Sequence, residues 1–171
     1  ADESNLKILA RLDWNINDKN HLAVRYNYTN NTAWNGPNAS SMDGGTRSAY
    51  SRTSLYSMSF SNSMYSMNNL VHSVSLDLNS KISDNLSNQF LATFSKLDDV
   101  RGTKSDEFPF IDIQDGTGTN TQYMSLGYEL FTWNNAVHNT IANVKDDLVW
   151  YAGNHKVTGG LSYEYQMADN A

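Results

Sequence analysis

The stretch Leu6-Lys7-Ile8-Leu9-Ala10-Arg11-Leu12-Asp13-Trp14-Asn15-Ile16 decides how the chain is read. Leu6, Ile8, Ala10, Leu12, Trp14 and Ile16 form one parity, and Lys7, Leu9, Arg11, Asp13 and Asn15 the other. Leu9 is the single exception to apolar against polar. Successive side chains of an extended strand point to opposite faces, so a period of two marks a strand with one apolar face. A turn at Asn17-Asp18-Lys19-Asn20 follows, after which Leu22, Val24, Tyr26 and Tyr28 alternate with Ala23, Arg25, Asn27 and Thr29. The two runs predict an antiparallel β-hairpin over about residues 6–30.

The same unit recurs twice. Leu70, His72, Val74, Leu76, Leu78 and Ile82 alternate with mostly polar partners, turn at Ser83-Asp84-Asn85, and return through Phe90, Ala92 and Phe94. That predicts a hairpin over about 70–97, and His72 on its apolar face is expected to mark a strand end. A third hairpin, about 139–167, runs through Ala142, Val144, Leu148 and Trp150, turns at Ala152-Gly153-Asn154, and returns through Val157, Gly159, Leu161, Tyr163 and Tyr165. Helical periodicity is absent, so the fold class is all-β.

Two long connections, about 31–69 and 98–138, separate the hairpins. Unstructured loops of that length are uncommon in a compact domain. Here they alternate strictly with short turns, which is the asymmetry of transmembrane β-barrels, with short periplasmic turns and long extracellular loops. Trp14 and Trp150 lie just before short turns, and Tyr28 and Tyr165 fall one membrane crossing beyond them. Aromatic rings with polar tips favour the lipid–water interface, so these four are expected to stand at the two interfaces. Within the long connections Trp34, Tyr50, Tyr56 and Trp133 are the candidates to stack on a ligand, while Met58, Met64 and Met67 are expected to pack.

Composition agrees once the alternation is known. The chain has 171 residues, 18% of them charged, no cysteine and a net charge of −6. No basic patch is available for nucleic acid, and disulfides and thiolate chemistry are excluded. Mean hydropathy is −0.57, and no apolar run approaches the ~20 residues of a spanning helix. A strand needs only alternate residues to face lipid, so polar lumen residues and long hydrophilic loops lower the average.

Catalysis fits poorly. His21, His72, His138 and His155 are scattered, without a Glu or Cys at a metal-ligand spacing. Asp146-Asp147 cannot act as one dyad on a regular strand, because neighbours point apart; one lumen-facing charge and one at the membrane rim is the expectation. Asp112 and Asp115 resemble a calcium loop only in passing, lacking its third-position and distal ligands. No enzyme, cofactor or metal is expected.

The segments Asn62-Ser63-Met64-Tyr65-Ser66-Met67-Asn68-Asn69, Phe108-Pro109-Phe110-Ile111-Asp112-Ile113, Gly127-Tyr128-Glu129-Leu130-Phe131 and Tyr163-Glu164-Tyr165-Gln166, in this order, resemble the barrel of Oar-like TonB-dependent receptors of Bacteroidetes. The resemblance implies an outer-membrane barrel of about 22 strands with an internal plug, importing a bulky substrate such as an oligosaccharide, peptide or chelate with energy passed by TonB. No plug, TonB-contacting segment or leader is recognisable, and the last residues, Met167 to Ala171, lack the aromatic on which such barrels usually end. Six strands are also fewer than the eight of the smallest single-chain barrels. The expectation is therefore a segment of a larger barrel, a single partial domain over 1–171. It would not transport by itself, and its partners would be outer-membrane lipid, the plug, the remaining strands and, through these, TonB. In isolation it is expected to self-associate, or to curl its apolar face around the long connections. The alternative is a free-standing β-sheet binding module, a small outer-membrane barrel or an adhesin.

Overall fold

A computed structural model describes residues 2–42, 51–116 and 121–171. Its strands are β1 (Glu3–Asn17), β2 (Asn20–Asn35), β3 (Met58–Ser59), β4 (Tyr65–Lys81), β5 (Leu86–Thr103), β6 (Ile111–Gln114), β7 (Gln122–Leu126), β8 (Ala136–Ala152) and β9 (His155–Asn170). Six of them form one sheet in the order β1-β2-β4-β5-β8-β9, every neighbouring pair antiparallel. The short β3, β7 and β6 form a second sheet. No helix among the described residues is long and apolar enough to cross a membrane.

The three tight turns fall where the alternation stops. Asp18-Lys19, Ile82–Asn85 and Gly153-Asn154 join the paired strands. The last needs a left-handed residue, and Gly153 supplies it with φ 60°. At the middle turn Lys81 Nζ donates to Asp84 at 2.7 Å, and this contact holds the Asp84 carboxyl below its ordinary value.

The long connections are shorter than the alternation suggested. Pairing continues to Asn35, resumes at Tyr65, runs on to Thr103 and resumes at Ala136, leaving 36–64 and 104–135. Beyond the apolar band polar residues enter both parities, so period two fades while the backbone ladder goes on. Amides knit these extensions together: Asn68 Nδ2 donates to Asn30 Oδ1 at 3.1 Å and to Thr32 Oγ1 at 2.8 Å, and Asn69 donates to Asp99. His72 accordingly lies inside β4 rather than at a strand end, its Nδ1 2.8 Å from the Tyr26 hydroxyl and its ring 5.1 Å from that of Tyr28.

Register sorts the sheet into two faces. Leu12, Val24, Leu76, Ala92, Val144 and Tyr163 lie in one cross-strand row, and Ala10, Tyr26, Val74, Phe94, Ala142 and Tyr165 in the next on that face. The opposite face carries Arg11, Arg25, Ser75, Thr93, Asn143 and Glu164. No layer covers the apolar face: Leu12 is 65% exposed and Leu161 85%, and Ala23 is the only buried apolar residue described in the six strands of that sheet. The expected curling around the long connections does not occur. A sandwich would have buried this face; here it stays open.

The Asp146-Asp147 expectation needs correction. Asp147 joins the polar face beside Lys145. Asp146 is not at a rim: it shares the apolar face, paired across to Phe90 and Leu161 and four residues inward of Trp150. Strand β8 has no register break to move it aside. Asn88 Nδ2 donates to its Oδ1 at 2.8 Å and so satisfies part of the misplaced charge.

The hairpin ends are staggered. Asn20, the first residue of β2, lies in one row with Ser80, Asn88 and Leu148. Leu148 is four residues before Ala152, the end of β8. Four residues over three strand steps is ~13 Å of slip against ~14 Å of width, from ~3.3 Å per residue and ~4.8 Å per strand. The corresponding tilt is about 43°, within the range that closes barrels.

Candidate functional site

The two long connections are joined to each other. β3 of the first pairs in parallel with β7 of the second, Met58 with Met124 and Ser59 with Ser125. Arg52 of the first is buried and holds Asp112 of β6 through Nε at 2.9 Å and through Nη2. Its Nη1 donates to the Asn38 carbonyl at 2.6 Å and to Ser41 Oγ at 2.8 Å, and its guanidinium lies 4.8 Å from the Phe110 ring centre. Gln122 Nε2 and Ser125 Oγ donate to the same Asp112 carboxylate, at 2.8 and 2.9 Å. A buried charge is tolerated when it is both paired and hydrogen-bonded, and Arg52 meets both conditions.

A second pair fastens this cap to the wall. Arg101 of β5 reaches Glu129, Nη2 to Oε2 at 3.0 Å, with its guanidinium 3.8 Å over the Tyr65 ring. Glu129 is 1% exposed. Its Oε2 accepts hydrogen bonds from Thr132 Oγ1 at 2.7 Å and from the Phe131 amide at 3.0 Å, closing a turn. Its Oε1 accepts no hydrogen bond from a described residue.

Within the second connection runs a groove of about 350 Å³, lined by Glu107, Phe108, Phe110, Tyr128, Glu129, Leu130 and Trp133. Its two walls come from separate segments that touch through backbone. The Tyr128 amide donates to the Phe108 carbonyl at 3.2 Å. Gly127 takes φ 104° directly against Pro109, whose carbonyl oxygen would lie 2.2 Å from an added Cβ. Only glycine meets both conditions. Gly127→Ala is expected to cost about 1–3 kcal/mol of local strain and to pull the walls apart, read as loss of the Tyr128–Phe108 amide's protection from hydrogen exchange.

Of the residues expected to bind ligand, Trp133 lines this groove, edge-on to Tyr128 with ring centres 6.5 Å apart. Trp34 stands elsewhere, in β2 beneath Lys104, whose Nζ is 4.5 Å from its ring centre. Tyr56 is exposed and outside the groove, and Tyr50 lies outside the described residues. The structure thus does not bring the four together. Phe108, Phe110 and Tyr128 complete the groove instead; their signal was the aromatic density of Phe108–Phe110 and Tyr128–Trp133. Asp112, considered for calcium, faces the Arg52 guanidinium.

Comparison with known proteins supplies the family. Residues 1–171 match the family described as outer membrane beta barrel domain. The chain belongs to that family. The barrel domain accordingly resides in the outer membrane and associates with its lipid, and in its six-stranded sheet the barrel is not closed. Its apolar face is the one a bilayer can cover. On that face Trp14 and Trp150 stand toward the short turns, and Tyr28 and Tyr165 toward the long connections. No match was found among curated proteins or among solved structures.

Proposed function

We propose that the barrel domain is a wall segment of a TonB-dependent outer-membrane importer of the Oar-like kind found in Bacteroidetes. Its partners in this reading are an internal plug, the remaining strands and, through these, TonB. The short turns face the periplasm, and the joined long connections stand outside the cell, where a bulky oligosaccharide, peptide or chelate first meets the protein. Trp14 and Trp150 then anchor the inner interface, and Tyr28 and Tyr165 the outer one.

The observation that carries this reading is the sheet itself. It has barrel tilt, one apolar and one polar face, and two unpaired edges at β1 and β9. Unpaired backbone groups are not tolerated in lipid, so each edge requires a further strand. A wall with so polar an inner face suits a wide lumen rather than a packed core, and wide lumens are those that hold plugs.

The test is genetic. Deleting the gene is expected to abolish growth on one class of oligosaccharide, peptide or chelated nutrient. Restoring it should rescue growth only in cells with a functioning TonB system. Rescue that persists without TonB would overturn the reading.

A further inference from the structure

We infer that the groove within the second long connection, between its segments 107–110 and 128–133, binds an organic cation carried on an apolar body. The inference names the ligand class for the capture site proposed above, yet it concerns binding alone and is tested without transport.

Three observations converge on one place. Phe108 and Trp133 leave about half or more of their surface open at the groove, at 51% and 62% exposure. Open aromatic faces attract cations through the ring quadrupole. Glu107, on the groove wall, is exposed and makes no ion pair among the described residues. Glu129 also lines the groove; its Oε1 is buried without a donor among the described residues, as Nε and Nη2 of the paired Arg101 are without acceptors, and an orphaned buried acceptor gains when a ligand N–H reaches it. The Glu129–Arg101 pair is neutral as a whole, so preference for positive charge falls to Glu107 and the aromatic faces, while Glu129 contributes the acceptor. Of the five carboxylates between Lys104 and Asn135, Asp112 and Glu129 are offset by Arg52 and Arg101, and Lys104 is turned away over Trp34, so Glu107 is the groove's own source of negative charge.

The experiment compares three probes of one shape with the full-length protein in detergent: phenethylammonium, 2-phenylethanol and phenylacetate, titrated by calorimetry. The cation should bind at least tenfold more tightly than the neutral alcohol, and the anion most weakly of all. Glu107→Gln should erase the preference for the cation while retaining the alcohol's affinity, and Trp133→Ala should weaken both. An Nα-acetyl-lysine methylamide arm separates a free aryl amine from a peptide side chain as the source of the cation. Equal affinity for cation and alcohol, or a preference unchanged in Glu107→Gln, would overturn the inference. Because no energised step is involved, either outcome is independent of TonB-driven import.

Discussion

Replacing Arg52 by methionine should release the two long connections from each other. The change leaves the Asp112 carboxylate in place with only Gln122 and Ser125 as partners, and removing one member of a buried pair typically costs 3–5 kcal/mol, roughly. It also strips the donors from the Asn38 carbonyl and Ser41. The loss concerns closure of the cap rather than the wall, whose strands pair independently of Arg52. Amides of β6 and β7 should therefore exchange about 100-fold faster or more, since 1.4 kcal/mol is roughly one decade, while those of β4 and β5 keep their protection. The double change Arg52→Met with Asp112→Leu should recover much of the loss, because an apolar pair of similar volume can replace a buried ion pair. Equal loosening of the wall, or no recovery in the double variant, would contradict this account.

The second large effect separates the two faces of the sheet. Leu76 and Ser75 are neighbours on β4, so their side chains point opposite ways. Leu76→Arg puts a guanidinium on the lipid side of the apolar band, at a cost of about 2–4 kcal/mol near the bilayer midplane. Ser75→Arg enlarges a polar face already carrying Arg25 across from it and should change stability by less than about 1 kcal/mol. Asp146→Leu should go the other way and stabilise the protein in lipid. It removes a charge from the apolar face, and Asn88 retains the Asp147 carbonyl at 3.2 Å as a second acceptor. Denaturant titrations of the full-length protein in lipid vesicles, compared with detergent, would give all three values. A larger loss from Ser75→Arg than from Leu76→Arg would mean that the faces are assigned the wrong way round.

What could be read from sequence was whatever alternation encodes. Leu6 to Ile16, Leu22 to Tyr28 and the matching runs near Leu76 and Leu161 revealed strands, faces and turns, because lipid on one side and water on the other imprint period two. The extensions 31–35 and 98–103 were illegible for the converse reason: water on both faces leaves no imprint, although the ladder continues. The cap was illegible too, since Arg52 and Asp112 meet across 60 residues of sequence and nothing local signals that meeting. Trp133 was one of four aromatics expected to stack on a ligand. Phe108, Phe110 and Tyr128 stood in two conspicuous segments, but only Gly127 against Pro109 makes those segments one groove.

All five pairings of the large sheet join strands that follow one another in that sheet's chain order. Such a meander can assemble by successive addition, each arriving strand finding its template already laid down. The entropy of closing a connection grows only as the logarithm of its length, about 0.6 kcal/mol per doubling. Insertions, deletions or wholesale exchange between Asn35 and Tyr65, or between Thr103 and Ala136, therefore cost the wall little. The wall that touches lipid and the long connections are free to change at different rates.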